Sequence, residues 1–193
     1  MATTTTSHIE KSLSQLPLIV TWVDPGIGEA GMHKYTKDRF ENLSQLISQW
    51  LYFDNPDTFT RYVEDNSNIR LISVMSGGMS RLLVPKLSHH AILESVYVFC
   101  ADIDLARQAL ANENKVKGIF NIEDDLYDQM ADDLAKLFLQ DGIHLAQQDQ
   151  RSLAKVKYEE AKRLLTSHAQ RIEQNERRER LEELDGRIDQ LLA

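Results

Sequence analysis

The chain predicts an open, doubly wound α/β sheet of five parallel strands followed by an all-helical C-terminal arm. Three observations carry that reading. Five short apolar runs alternate with helix-length segments across Pro17 to Asn121, the alternation that builds parallel strands joined by right-handed crossovers. The central run, Leu71 to Met75, is dominated by apolar residues with no polar alternation and is broken at once by Gly77-Gly78, the signature of a strand covered on both faces that turns into a helix. After Asn121 strand signals stop and the chain is helix-forming to Ala193.

Composition sets the limits. At 193 residues the chain is long enough for one domain with a real core plus an appendage, and short for two full domains. With 42% hydrophobic and 27% charged residues it sits near the average of folded proteins. The formal charge of −8 argues against a general nucleic-acid or anionic-membrane binder, which needs a basic field to displace counterions. A single cysteine, Cys100, leaves no internal disulfide and no cysteine-rich zinc site, and suits a reducing compartment. No apolar run approaches a membrane span, and the threonine-rich Met1 to Ser7 lacks the basic start and apolar core of a secretory signal. These features predict a cytoplasmic protein. The expected divisions are a flexible leader at 1–16, the α/β domain at 17–121, a helical hairpin at 122–167 and a charged helix at 168–193.

Pro17 to Val23 is the first strand, ended by Asp24-Pro25-Gly26, where the proline and glycine stop the ladder. Phe40, Leu43, Leu46, Ile47 and Trp50 fall at helical spacing, predicting a helix over His33 to Trp50 after the loop Ile27 to Met32. Leu51 to Phe53 is then a very short edge strand, and Asn55-Pro56 caps a brief helix carrying Phe59, Tyr62 and Val63. From the central strand a helix starts near Gly78, with Leu82, Leu83 and Leu87 inward and His89-His90 at its end, where histidines suit the negative end of a helix dipole. Ser95 to Cys100, a helix over Asp102 to Asn112, and Val116 to Phe120 complete the sheet. The expected strand order is 2-1-3-4-5, that of the flavodoxin-like and receiver-like folds.

In the helical arm, Phe138, Gly142, Ala154, Tyr158 and Ala161 follow one another at four, twelve, four and three residues, placing small residues where two antiparallel helices approach. The pattern resembles one tetratricopeptide repeat, with Asp141 where a leucine is usual and Thr166 where a proline often closes the repeat. One such hairpin cannot bury its own apolar face. The last segment carries Leu181, Leu184, Ile188 and Leu191 at alternating three and four spacing in a charged background, which reads either as a solvated helix with one apolar edge or as a short coiled-coil seam.

Chemistry in such a sheet belongs at the carboxyl ends of the strands, at the switch point between the first and third. The loops there offer Asp24, Ser76, Gly77, Gly78, Arg81 and Asp102. The Ser-Gly-Gly turn opens a helix, so its free amides and Arg81 form a weak candidate for holding an anion or a nucleotide phosphate. The alternative is that the glycines simply make a tight turn, and that Asp102 is a helix cap. A phospho-receiver needs paired acids after the first strand, an aspartate after the third and a lysine after the fifth. This chain has Asp24, Ser76 and Asn121, which does not support that chemistry. A Toll/interleukin-receptor-like domain cleaving a nicotinamide dinucleotide would carry a glutamate in the helix after the third strand, and Gly78 to Leu87 has none. No catalytic set, cofactor motif or metal-ligand spacing is read.

Leu18 to Asp24, Val74 to Pro85 with its Ser-Gly-Gly and Leu-Val-Pro, Val96 to Cys100 and Lys115 to Phe120 together resemble an uncharacterised receiver-like α/β domain found in bdelloid rotifers, often ahead of tetratricopeptide repeats or an ADP-ribosyltransferase domain. That resemblance implies a signalling or scaffold context and assigns no residue a role. The sequence thus predicts a non-catalytic interaction or assembly module with protein partners, forming a homo-oligomer through Leu181, Leu184, Ile188 and Leu191. The competing reading is a nucleotide- or phosphate-binding sensor or hydrolase using the strand-end crevice.

Overall fold

A computed structural model describes residues 13–27, 34–169 and 172–192. They fall into two units, Pro17–Leu126 and Tyr127 onward together with residues 13–16. The first unit is a five-stranded parallel sheet: β1 (Leu18–Val23), β2 (Ile47–Phe53), β3 (Arg70–Ser76), β4 (Leu93–Phe99) and β5 (Val116–Phe120), in the order β2-β1-β3-β4-β5. This is the doubly wound, flavodoxin-like topology expected from the alternation of strand and helix. The register aligns Val23 with Met75, Met75 with Val98, and Ser76 with Phe99, so the loops after β1, β3 and β4 leave the sheet along one edge.

Side chains alternate across each strand, and both faces are apolar because both are covered. On one face Ile19, Val23, Leu71, Met75, Val96 and Val98 pack with three helices. These are α2 (Pro56–Asp65), α3 (Gly77–Leu87) and α4 (Ile103–Ala109). On the other face Trp22 meets Phe40 of α1 (Lys34–Glu41) edge-on at 5.4 Å and Phe99 at 6.2 Å. Two polar features interrupt the core. Thr21 donates to the Ser73 hydroxyl across β1 and β3 at 2.9 Å, both fully buried. At the amino end of β3, buried Arg70 forms a fork with Glu94 of β4 at 2.5 and 3.1 Å.

The caps follow from the sequence. Asn55 accepts from the amides of Asp57 and Thr58, with Pro56 at the first helical position. Ser76 accepts from Met79 and Asp102 from Leu105, each satisfying an amide that has no partner within its helix.

Three expectations for this unit are corrected. The helix predicted over His33 to Trp50 stops at Glu41, and residues 47–53 form a full strand. Asn42 bonds back to the Asp38 carbonyl and the Ser44 hydroxyl accepts from Leu46, a local serine turn that ends the helix despite the apolar spacing. Trp50 and Tyr52 then face α1 while Phe53 packs on Phe59 and Tyr62 of α2, a two-sided apolar pattern that imitates helical periodicity. Leu82, expected inward, is 45% exposed, since α3 buries Met79, Ser80, Leu83, Val84 and Leu87 instead. The helix after β4 ends at Ala109, short of Asn112. His33 and most of the predicted loop Ile27 to Met32 lie outside the described residues, as does most of the leader.

In the second unit α5 (Glu123–Gln147, from Tyr127 onward) and α6 (Arg151–Ser167) form an antiparallel pair joined by three residues, of which Asp149 takes a positive φ of 58°. Phe138, Gly142, Ala154, Tyr158 and Ala161 are all buried. A β-carbon at Gly142 would lie 2.4 Å from the Tyr158 ring, so the absent side chain is what lets the helices meet. Asp141, at the position where the repeat pattern has leucine, is buried and paired with Lys157 at 3.1 Å, whose ammonium also lies 4.8 Å from the centre of the Phe138 ring.

The charged helix α7 (Gln174–Leu192), read as a solvated helix or a coiled-coil seam, packs within its own unit. It returns along α6, with Lys162 bonded to Asp185 at 2.5 Å and Arg180 bonded to Asp132 of α5. Leu184 is fully buried, while Leu181, Ile188 and Leu191 are half-buried. The apolar seam is therefore largely satisfied within the chain, because three helices can close a core that a hairpin cannot.

The glycines of this unit provide a test of sign. In chemical denaturation Gly142→Ala is expected to destabilise by about 1–2 kcal/mol, the cost of overpacking against Tyr158 exceeding the gain of about 1 kcal/mol in helix propensity. Gly186→Ala, where no atom lies within 4 Å of the added carbon, is expected to stabilise by about 0.5–1 kcal/mol.

Candidate functional site

The register brings the ends of β1, β3 and β4 side by side, so Asp24, Ser76 and Cys100 occupy neighbouring strand ends, with Asn121 following β5. The side chains of Asp24, Ser76, Cys100 and Asp102, however, are turned onto the backbone of their own loops. Asp24 Oδ1 accepts from the Gly26 amide at 2.7 Å, holding the turn after β1. Ser76 Oγ accepts from the Met79 amide at 3.5 Å, and Asp102 Oδ1 from Leu105 at 3.0 Å. Asp24 and Asp102 follow strands separated by β3, and these strands lie roughly 10 Å apart by strand spacing.

The two glycines are not equivalent. A β-carbon at Gly77 would stand 2.8 Å from Cys100 Cβ, whereas one at Gly78 would meet nothing within 4 Å. Gly77 is therefore required where α3 leaves β3 against the end of β4, a close approach that only glycine permits. This favours the tight-turn reading of the Ser-Gly-Gly motif, with Cys100 as the neighbour. Arg81, one turn into α3, is exposed and lies beside Cys100.

Cys100 is half-buried and its thiol bonds to the Asp102 carbonyl at 3.4 Å. Burial pushes its pKa up, the Asp102 carboxylate adds to that, and Arg81 opposes it. The thiol therefore stays protonated at neutral pH, which is the opposite of what a nucleophile needs. Next to it, Ala101, Asp102, Ile103, Asp104, Arg107 and Asn121 line an open depression of about 610 Å³. Two carboxylates and one arginine, the latter 3.4 Å from Asp104, do not make an anion cradle.

Two features at this end of the sheet are not signalled by any local motif. Lys37 of α1 donates to the Ile27 carbonyl at 2.6 Å, holding the chain that leaves β1, and its ammonium lies 4.5 Å from the centre of the Tyr52 ring. The Tyr52 hydroxyl donates to Glu41 at 2.5 Å, and burial together with that carboxylate pushes the phenol well above its ordinary range.

No family profile, curated protein or solved structure matches this chain. Among the described residues, no helix is long and apolar enough to cross a membrane, and no cluster of three or more histidine, cysteine or acidic side chains is placed to hold a metal ion.

The unequal glycines predict unequal variants. Gly77→Ala is expected to lower stability by about 1–3 kcal/mol through the clash with Cys100, and Gly78→Ala to be neutral or stabilising by up to about 1 kcal/mol. Denaturant midpoints of the two variants measure this directly.

Proposed function

We propose that the chain is a non-catalytic interaction module that makes weak contacts with protein partners, a second copy included, through its helical C-terminal unit. One contrast supports this reading. The polar side chains at the strand ends are engaged with their own loops, whereas large apolar side chains remain in water on the helices. In the helical unit Leu153, Val156 and Leu192 are 55%, 45% and 66% exposed. Pairing of Lys162 with Asp185 in antiparallel helices sets Leu192 level with the start of α6, at the same end of the unit as Leu153 and Val156. With Leu184 buried, this end takes over the role first assigned to Leu181, Leu184, Ile188 and Leu191. The resemblance to receiver-like domains joined to helical repeats points to the same signalling or scaffold context.

Light scattering of the full chain tests the assembly. The apparent mass is expected to rise over tens to hundreds of micromolar, the range of a weak interface, and not to rise in a Leu153→Glu, Leu192→Glu double variant. A chain that is monomeric throughout that range would remove self-association from the proposal.

A second measurement tests the non-catalytic part. Millimolar phosphate, adenine nucleotides and magnesium are expected to leave the melting temperature unchanged, since a ligand specific to the folded state must raise it. Acetyl phosphate with magnesium is expected to add no mass. A reproducible rise in melting temperature, or a phosphoryl adduct, would favour the sensor or hydrolase reading of the strand-end crevice.

A further inference from the structure

Two exposed helix faces, one in each unit, are opposite in charge and complementary in shape. On α3 the residues turned to solvent are Gly78, Arg81, Leu82, Pro85 and Lys86. They recur at the three- and four-residue intervals of a single helix face. Arg81 and Lys86 are the only charged residues of this helix, which belongs to a chain of formal charge −8. Among the described residues neither pairs with a carboxylate, and Leu82 between them is 45% exposed.

The exposed face of α7 has the reverse character, because the charges of that helix are sorted. Arg177 is bonded to the Ala169 carbonyl, Arg180 to Asp132 of α5, and Arg187 lies against the Tyr158 hydroxyl of α6. Three of its four arginines are thus drawn to their own unit. Glu179, Glu182 and Asp189 are left in water on one face of the helix, three and seven residues apart. Among the described residues Glu179 and Asp189 have no cationic partner, and Glu182 reaches the exposed Arg178 only at 3.9 Å. Gly186 lies in the middle of this stripe with nothing within 4 Å of an added β-carbon, as is the case at Gly78 on α3. Glycine is a poor helix former, and at neither position does packing within the chain call for one.

We propose that the acidic face of α7 docks on the basic face of α3 of a second copy of this chain, the two helices antiparallel and Leu82 seated over Gly186. That register carries the charges with it. Lys86, four residues after Leu82, comes opposite Glu182, four residues before Gly186, and Arg81 comes opposite Asp189 on the other side. Antiparallel helices also set the positive end of each dipole beside the negative end of the other. A leucine over a glycine lets the two backbones approach closely. The occupant is a second copy because one chain carries both complementary faces, and each is open to water in the single chain. Exposed ion pairs contribute modestly to affinity, and their main effect is to fix register and exclude wrong pairings. The contact rests on the reading that copies of the chain associate, and it uses surfaces other than the end formed by Leu153, Val156 and Leu192. Its two faces are unlike, so it is heterologous.

Charge reversal tests the pairing in the full chain. Lys86→Glu and Glu182→Lys each set like charges across the contact, and each variant alone is expected to associate about fivefold more weakly than the wild-type chain in sedimentation velocity. An equimolar mixture of the two is expected to regain the wild-type association, since every contact in a mixed pair then joins a glutamate to a lysine. Gly186→Leu, which fills the seat of Leu82 at an exposed helix position, is expected to raise the melting temperature and still weaken association. Single variants that associate as the wild type does, or a mixture no better than its parts, overturn the proposal. Association that ignores these substitutions but is lost in the Leu153→Glu, Leu192→Glu double variant overturns this contact and leaves the apolar end standing. Association that survives in that double variant and is lost on charge reversal supports this contact and removes the apolar end. A wild-type chain that stays monomeric overturns both.

Discussion

The pairing of β1 with β3 through the centre of the sheet is the interaction on which the rest of the first unit depends. It aligns Val23 with Met75 and Thr21 with Ser73, and it leaves both faces of those strands to be covered. Thr21 and Ser73 answer each other's hydroxyls in a place where an unpaired polar group would be costly. Because β3 must then turn into α3 directly against β4, the residue after the strand has to be small. Gly77 against Cys100 is the result. The strand-end loops are shaped by this packing before any ligand is considered.

That shaping also sets what the polar side chains at the carboxyl ends of the strands bond to. Asp24, Ser76 and Asp102 are the residue types a binding site would use, and they also are the best turn and cap formers. Each is within bonding distance of an amide two or three residues ahead. A side chain already holding its own backbone is not preorganised toward an external group. Cys100 is in the same position, its thiol raised by burial and by Asp102 rather than lowered.

The helical unit solves a different problem. A hairpin of α5 and α6 cannot bury its own apolar face, and α7 packs along α6 with Leu184 fully buried. The charges that gave this segment the look of a solvated or coiled-coil helix are instead bonds to its neighbours: Asp185 to Lys162, Arg180 to Asp132, Arg177 to the Ala169 carbonyl. Among the described residues, the most exposed large apolar side chains of this unit, Leu153, Val156 and Leu192, lie toward one end.

Strand positions, strand order and helix caps were legible from the chain alone, because each is determined by local chemistry. Apolar runs bounded by turn residues located β1, β3, β4 and β5 to within one or two residues, and Asn55 and Asp102 announced their helices. The segment from Asn42 to Phe53 was not legible, since apolar residues on both faces of a short edge strand copy the spacing of a helix, and only the two helices packed on either side distinguish them. Nor could spacing reveal which apolar residues would be left wet, as at Leu82, or that α7 would fold onto its own hairpin. The hydrogen bond between Tyr127 and His168 joins residues forty-one apart in sequence, and the Gly77–Cys100 contact joins neighbouring strands through a crossover. Contacts of that kind arise from how finished elements meet, a matter of tertiary packing that no local pattern of residues encodes.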